Sequence, residues 1–335
     1  MATLVAGIGT SHSPMLSMDS GAWAARAGAN DQRNQGLVGV DGLVSNYEDL
    51  LARTDVTRIA KEITPDKMQA RHERNQAGIA WVAEQLYAQK LDLLVMIGDD
   101  QQEYLRDDNM PSFCVYWGDE VRVKGQGKEY TGSTGNQPLI GYAIEDRDVP
   151  THAGLGRHII EHLVEAEFDV GSSNHLDYDK GGRSRGGVGH AFGFVYHRVL
   201  TDGLIPTVPI MVNTYYPPSP SAARCYRFGQ TMRQAIEAWD SDKKVAIVAS
   251  GGLSHTVIEE ELDSKIIDGL RHDDVAKLTD FEDVRFRGGT SEIKNWIGLA
   301  GALSGTGLNM NMVDYVPCYR TEAGNGCAMG FAEWT

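Results

Sequence analysis

Three of the ten histidines in this 335-residue chain stand where reactive groups are easiest to assemble. His12 follows the apolar run 4–8 through Gly9-Thr10-Ser11, and His255 closes Ser250-Gly251-Gly252-Leu253-Ser254-His255 after the run 245–249. His190 has a similar glycine-rich setting in Gly187-Val188-Gly189-His190-Ala191. Small residues let the backbone approach a ligand, and imidazole both titrates near neutral pH and binds metals. One such histidine alone is as readily a hydrogen-bonded structural residue. Three in the same setting point to a site. A further polar cluster, Gly98-Asp99-Asp100-Gln101-Gln102-Glu103, follows the apolar run 91–97.

A rival pattern is His158-Ile159-Ile160-Glu161-His162, which formally matches the H-x-x-E-H zinc-peptidase signature on an expected helix. Histidines four residues apart share a helical face, so zinc hydrolysis is an alternative function, although no motif supplies a third ligand. A solvated helix face accounts for the same residues. No G-x-S-x-G elbow and no phosphate loop ending in G-K-[ST] occurs. The stretch 181–187 carries Arg183 and Arg185 among glycines, but it lacks the strand-then-helix context of a phosphate cradle.

The elements that must position these groups alternate. Strands are expected at 4–8, 91–97, 113–117, 205–212 and 245–249, with closing strands at 310–316 and 328–334. Helices are expected from Thr64-Pro65 to about 90, at about 155–166, at 222–239 and at 291–303, the last carrying Glu292 in its first turn. A short helix is expected near 47–51, and the segment 171–189 reads as a loop long enough to be a lid. This order predicts an α/β fold: one large domain, residues 1–335, with a central mixed sheet covered by helices on both faces. Ligands of open α/β sheets bind beyond the carboxyl ends of the strands, where three of the polar clusters fall.

Composition narrows the partners. A formal net charge of −15 without a basic stripe argues against a nucleic-acid or anionic membrane surface. No window approaches the ~20 apolar residues of a membrane span, and the start has no secretory pattern, so a cytoplasmic protein is expected. Cys114, Cys225, Cys318 and Cys327 lie far apart and are read as reduced thiols.

Taken in order, several of these segments resemble the class III extradiol ring-cleavage dioxygenases of the LigB superfamily, which include the catalytic subunit of protocatechuate 4,5-dioxygenase and gallate and methylgallate dioxygenases. Gly9-Thr10-Ser11-His12-Ser13-Pro14 resembles the family's first strand-end histidine motif, Ser250-Gly251-Gly252-Leu253-Ser254-His255 its Gly-Gly-(Met/Leu)-Ser-His motif, and Thr290-Ser291-Glu292-Ile293-Lys294-Asn295-Trp296 its carboxylate-bearing helix. The resemblance implies Fe(II) on His12 and Glu292, acid–base catalysis by His255, and an O2- and substrate-lining role for His190. It implies a small aromatic substrate and O2 as partners, with a homo-oligomer, a dimer, as the assembly. Arg183 and Arg185 would meet the carboxylate of a protocatechuate- or gallate-like acid. Segments 17–75 and 171–189 are insertions relative to short family members.

One departure matters. Where the family has Asn-Asp-His after its second strand, this chain has Asp99-Asp100-Gln101, so the 2-His-1-carboxylate triad is one histidine short. Gln101 could ligate through its amide oxygen, Glu103 could reach in, or another histidine could move in. Alternatively the chain is a non-catalytic LigB-like partner subunit.

Overall fold

Residues 93–99 are buried at every position, with Leu93, Val95 and Ile97 in one apolar cluster and Leu94 and Met96 in another. Side chains alternate across a strand, so a strand with two apolar faces needs a cover on each. The computed structural model, which describes residues 1–127, 139–178, 186–201 and 205–335, supplies both covers. Its main sheet has eight strands: β1 (Thr3–Thr10), β2 (Leu93–Asp99), β3 (Phe113–Tyr116), β4 (Gly171–Ser173), β5 (Thr207–Val212), β6 (Lys244–Ser250), β7 (Met310–Tyr319) and β8 (Gly326–Trp334). Their order is β7-β8-β1-β6-β2-β5-β3-β4. Strands β1, β6, β2 and β5 run parallel at the centre, with β8 antiparallel to β1 and β3 antiparallel to β5. The single α/β domain with a mixed, helix-covered sheet agrees with the sequence expectation.

The principal helices are α1 (Pro65–Ala88), α2 (Ala153–Glu165), α3 (Ala222–Ala238), α4 (Glu260–His272) and α5 (Ile293–Leu303). Leu155 and Ile159 of α2, Met232 and Ile236 of α3, and Ile297 of α5 pack on the Val95 face of the sheet. Ile79, Val82 and Leu86 of α1 cover the Met96 face, together with Phe192, Phe194 and Val195 from the helical stretch that begins at His190. Each fully buried side chain of this size contributes roughly 1.5–3 kcal/mol relative to exposure. Pro65 occupies the first turn of α1, as its ring and missing N–H favour.

Helix α5 bears on the site directly, and glycine lets it sit close to α3. A Cβ on Gly229 would lie 1.9 Å from the Gly298 carbonyl oxygen, and one on Gly301 would lie 2.0 Å from that of Tyr226. Backbone therefore meets backbone along this contact. Trp296 then lies against Gly9 of β1, where a Cβ would come within 2.3 Å of the indole. The α-helix starts at Ile293, later than expected, and a 3-10 turn over Gly288–Glu292 precedes it. Glu292 thus sits at the junction rather than inside the first α-helical turn.

Other differences are local. Helix α4 and the helical stretch from His190 are absent from the sequence expectations, as is the helical run from Ser20 to Asp31. Arg183, Arg185 and the middle of the expected lid, residues 179–185, lie outside the described residues. No helix among the described residues is long and apolar enough to cross a membrane.

Candidate metal centre and active site

Strand register builds the site. Thr10 of β1 pairs with Ser250 of β6, and Ser250 pairs with Gly98 of β2, so three adjacent parallel strands end level. His12, the 251–255 loop and the 99–103 loop therefore leave the sheet side by side. Glu292 reaches the same place from the leading end of α5. That end is tied down by Trp296 Nε1–H donating to the Gly251 carbonyl (2.8 Å) and by Asn295 Nδ2–H donating to the Ser250 carbonyl (2.8 Å) and to Asp99 Oδ1 (3.2 Å). His190 arrives from the opposite layer, at the start of its helical turn. Ligand atoms of His12, Asp99, His190 and Glu292 lie within 4.8 Å of one another, and all but His190 are buried.

The hydrogen bonds assign the imidazole protons. Ser250 Oγ donates its single hydrogen to the Ala191 carbonyl (2.7 Å), so at its 3.0 Å contact with His12 it accepts from Nδ1–H. In the neutral imidazole, the form that binds a metal, His12 Nε2 is then a bare lone pair, and that buried nitrogen has no hydrogen-bond partner among the described residues. It faces Glu292 Oε2 at 3.3 Å and Asp99 Oδ1 at 3.7 Å. Electron-rich atoms held this close in a dry pocket call for a positive charge between them. Imidazole nitrogen with carboxylate oxygen is a donor set that suits a first-row divalent metal. A metal ion fits these residues.

Electrostatics distinguishes the two carboxyls. Burial would raise Glu292, but His255 and His12 beside it outweigh burial and hold it well below the usual carboxylate range. Asp99 is raised, by burial first and by Glu292 second. His190 is opposed by burial, but Glu103, backed by Asp99 and Glu292, lifts it to about 10. A bound cation would reverse that preference, since a ligating imidazole must be deprotonated at the metal.

His255 stands at the rim of this cluster. Its Nδ1 lies 2.8 Å from the Leu253 carbonyl, which only accepts, so Nδ1 carries hydrogen. Its Nε2 lies 3.1 Å from Glu292 Oε1 and is the nitrogen free to exchange a proton with a neighbour. Burial disfavours the imidazolium, but Cys327 and Glu292 prevail and raise its pKa well above the ordinary value.

The two ligands expected from the 99–103 loop behave differently. As placed, Gln101 turns its amide nitrogen inward and donates to Glu292 Oε1 and Asp99 Oδ2, both at 3.1 Å. Ligation through its oxygen would need the amide reversed. Glu103 lies outside the four-residue grouping and accepts from the backbone N–H and Nδ1–H of His190, each at 2.9 Å. Asp100 shapes this turn by accepting the N–H groups of Glu103, Tyr104 and Leu105 at 3.0, 2.9 and 3.1 Å.

Asp99 was not among the expected site residues, although a lone acid ending an unbroken apolar strand is a usable signal. His158 donates Nε2–H to the Ala235 carbonyl (2.9 Å), and Glu161 is exposed. Neither they nor His162 belong to a metal-competent grouping among the described residues.

Comparison with known proteins places this architecture. A family described as "Catalytic LigB subunit of aromatic ring-opening dioxygenase" matches residues 53–326. The chain belongs to the LigB family. Its curated relatives include a gallate dioxygenase of Pseudomonas putida, 33% identical over 187 residues, which is 51% of this chain and 52% of that protein. Another is a 2,3-dihydroxyphenylpropionate/2,3-dihydroxicinnamic acid 1,2-dioxygenase of Rhodococcus globerulus, 26% identical over 164 residues, covering 49% of this chain and 43% of that one. The chain spans about half the length of the curated relatives it matches. Within this LigB chain, His190, His255 and Glu292 fall inside the family span, whereas His12 precedes it and owes its place to the level strand ends.

Proposed function

We propose that this chain uses a ferrous ion on His12, His190 and Glu292 to open a catecholic aromatic acid with O2 by extradiol cleavage, on a protocatechuate-, gallate- or methylgallate-like substrate. The observation that carries the reading is the convergence of two histidines and two acids, drawn from across the chain, within 4.8 Å. His190 would fill the place left vacant by the missing histidine after β2 and so complete two histidines and one carboxylate. Its Nδ1–H bond to Glu103 is the outer contact that metal-bound histidines usually keep. When bound, Fe(II) would supply open positions for the two diol oxygens and O2 and a path for electrons from the ring, which is the species oxidised, to O2. Gallate and dihydroxyphenylpropionate, in the relatives' names, are both carboxylated aromatics with adjacent hydroxyls.

The chain's own groups then have separate tasks. With the Glu292 charge offset by a bound cation, a neutral His255 would take a proton from one substrate hydroxyl at Nε2 and return it later, because its Nδ1–H is committed to Leu253. Gln101 bridges Asp99 and Glu292 and holds their carboxyl planes. Asp99 stays outside the ligand set: with four protein ligands, a six-coordinate ion would have too few positions for a chelated diol and O2.

A second reading exchanges His190 for Asp99 as the third ligand and leaves His190 as a proton carrier near bound oxygen. It is favoured by the carboxylates that lift His190 to about 10. Anaerobic Fe(II) titration separates the two: the first expects His190→Ala to lose the ion and Asp99→Asn to keep it, the second the reverse. An O2-uptake screen over gallate, its methyl ether, protocatechuate and 2-aminophenol tests the reaction, with a yellow ring-opened product expected. A metal-free chain that leaves all four unchanged would instead be a non-catalytic partner subunit.

A further inference from the structure

The turn that carries Glu292 also grips His255. Thr290 Oγ1 accepts the backbone N–H of His255 at 3.1 Å and donates to the backbone carbonyl of the same residue at 2.6 Å. One hydroxyl thus closes both polar groups of a single residue 35 positions away. Beside it, Gly289 lies against the imidazole edge: a Cβ there would come within 2.0 Å of Cδ2 and 2.4 Å of Nε2. Gly252 bounds the opposite edge, where a Cβ would fall 2.9 Å from Cε1. The ring is caged between two glycine backbones, and its main chain is pinned by a hydroxyl two residues before Glu292.

We propose that Thr290 is a positioning residue for His255, its hydroxyl fixing the His255 backbone so that Nε2 stands at its 3.1 Å distance from Glu292 Oε1. The proposal rests on the ring-opening reading for its catalytic consequence, but not for its geometry. Acid–base groups act only from hydrogen-bond reach of the proton they move, and displacements near 1 Å can lower rates about 100-fold. Because Thr290 and Glu292 share one 3-10 turn, the acid–base group and the carboxylate would move as one body. The far side of the loop is anchored separately. The buried Asp263 accepts from Ser254 N–H (2.8 Å), Ser254 Oγ–H (2.6 Å) and Tyr315 Oη–H (2.7 Å).

The test compares Thr290→Val, which keeps shape and loses the hydroxyl, with Thr290→Ser, which keeps it, and with Thr290→Ala should the valine protein fail to fold. In the Fe(II)-loaded chain, Thr290→Val or Thr290→Ala should lower kcat on the order of 10- to 100-fold with KM little changed. Thr290→Ser should recover most of that loss. Placed in a His255→Ala background, Thr290→Val should cost nothing more, because its effect runs through the imidazole. A full additional loss there, or wild-type kcat in Thr290→Val, overturns the proposal. Crystal structures of the metal-free variants give an arm independent of activity. The Nε2–Glu292 separation should lengthen in Thr290→Val and Thr290→Ala and hold in Thr290→Ser; no change in any of them also overturns it. If the wild-type chain opens no ring, that outcome counts against the ring-opening reading, and the crystallographic arm still decides this one.

Discussion

Glu103 holds His190 by both of its fixed hydrogens, accepting the backbone N–H on Oε1 and the Nδ1–H on Oε2, each at 2.9 Å. Gly189 makes room for the contact, since a Cβ there would lie 2.8 Å from Oε2. The result is an imidazole whose Nε2 is aimed at the cluster, 3.8 Å from Asp99 Oδ2. Replacing Glu103 with Ala should weaken Fe(II) binding by roughly 10- to 100-fold, the usual scale for removing such an outer partner. Glu103→Gln should lie between, since its amide oxygen can still accept one hydrogen bond. Anaerobic calorimetric titration reads this, and unchanged affinity in Glu103→Ala would remove His190 from the ligand set.

His255, like His12 and His190, has its Nδ1 committed, here to the Leu253 carbonyl, but it lies outside the four-residue grouping with its Nε2 against Glu292 Oε1. His255→Ala should lower turnover by ~100-fold or more while iron stoichiometry stays near one per chain. Wild-type turnover in that variant would take away its acid–base role.

Asp263 carries a pH signature. Burial raises its carboxyl to about 6, against bonds from Ser254 and Tyr315 that pull it down. An acid whose pKa is higher in the fold binds more protons folded than unfolded. Stability is therefore greatest below the unfolded value of about 4, and it declines as pH rises through about 6. Between those limits the wild type should lose at most about 1.4 kcal/mol per pH unit relative to Asp263→Asn, which cannot titrate. Urea unfolding of both proteins from pH 4 to 7.5 measures the difference, and parallel curves would contradict it.

Much of this was legible in the chain because the central strands are unbroken apolar runs ending in small or polar residues, as β2 and β6 show. The three histidines were legible for the same reason. Helix α4 was not: its apolar stripe, Leu262, Ile266 and Leu270, is interleaved with six charged residues in EELDSKIIDGLRH, and a histidine. The pairing of Glu103 with His190 was hidden because it joins layers 87 positions apart, and only the folded register brings them together. Asp99 was read as part of a polar loop, whereas it is the last residue of β2 and fully buried. The role of Arg183 and Arg185 stays an expectation of sequence alone, since both lie outside the described residues.

The α3–α5 contact sets the sign of another substitution. Ala is a better helix former than Gly by about 1 kcal/mol, so propensity alone favours Gly229→Ala. The added Cβ would fall 1.9 Å from the Gly298 carbonyl oxygen, and backbone there yields only by moving α5. Net destabilisation of about 1–3 kcal/mol is expected from overpacking, read from the urea midpoint. A stabilised variant would mean that α5 tolerates displacement, and with it Glu292.

The most direct test of the whole account is anomalous diffraction at the iron edge from crystals loaded anaerobically with Fe(II). The account expects one peak per chain within bonding distance of His12 Nε2, His190 Nε2 and a Glu292 carboxylate oxygen, and no peak in His12→Ala crystals. A peak at His158 and His162 instead, or none at the strand ends in the wild type, would contradict it.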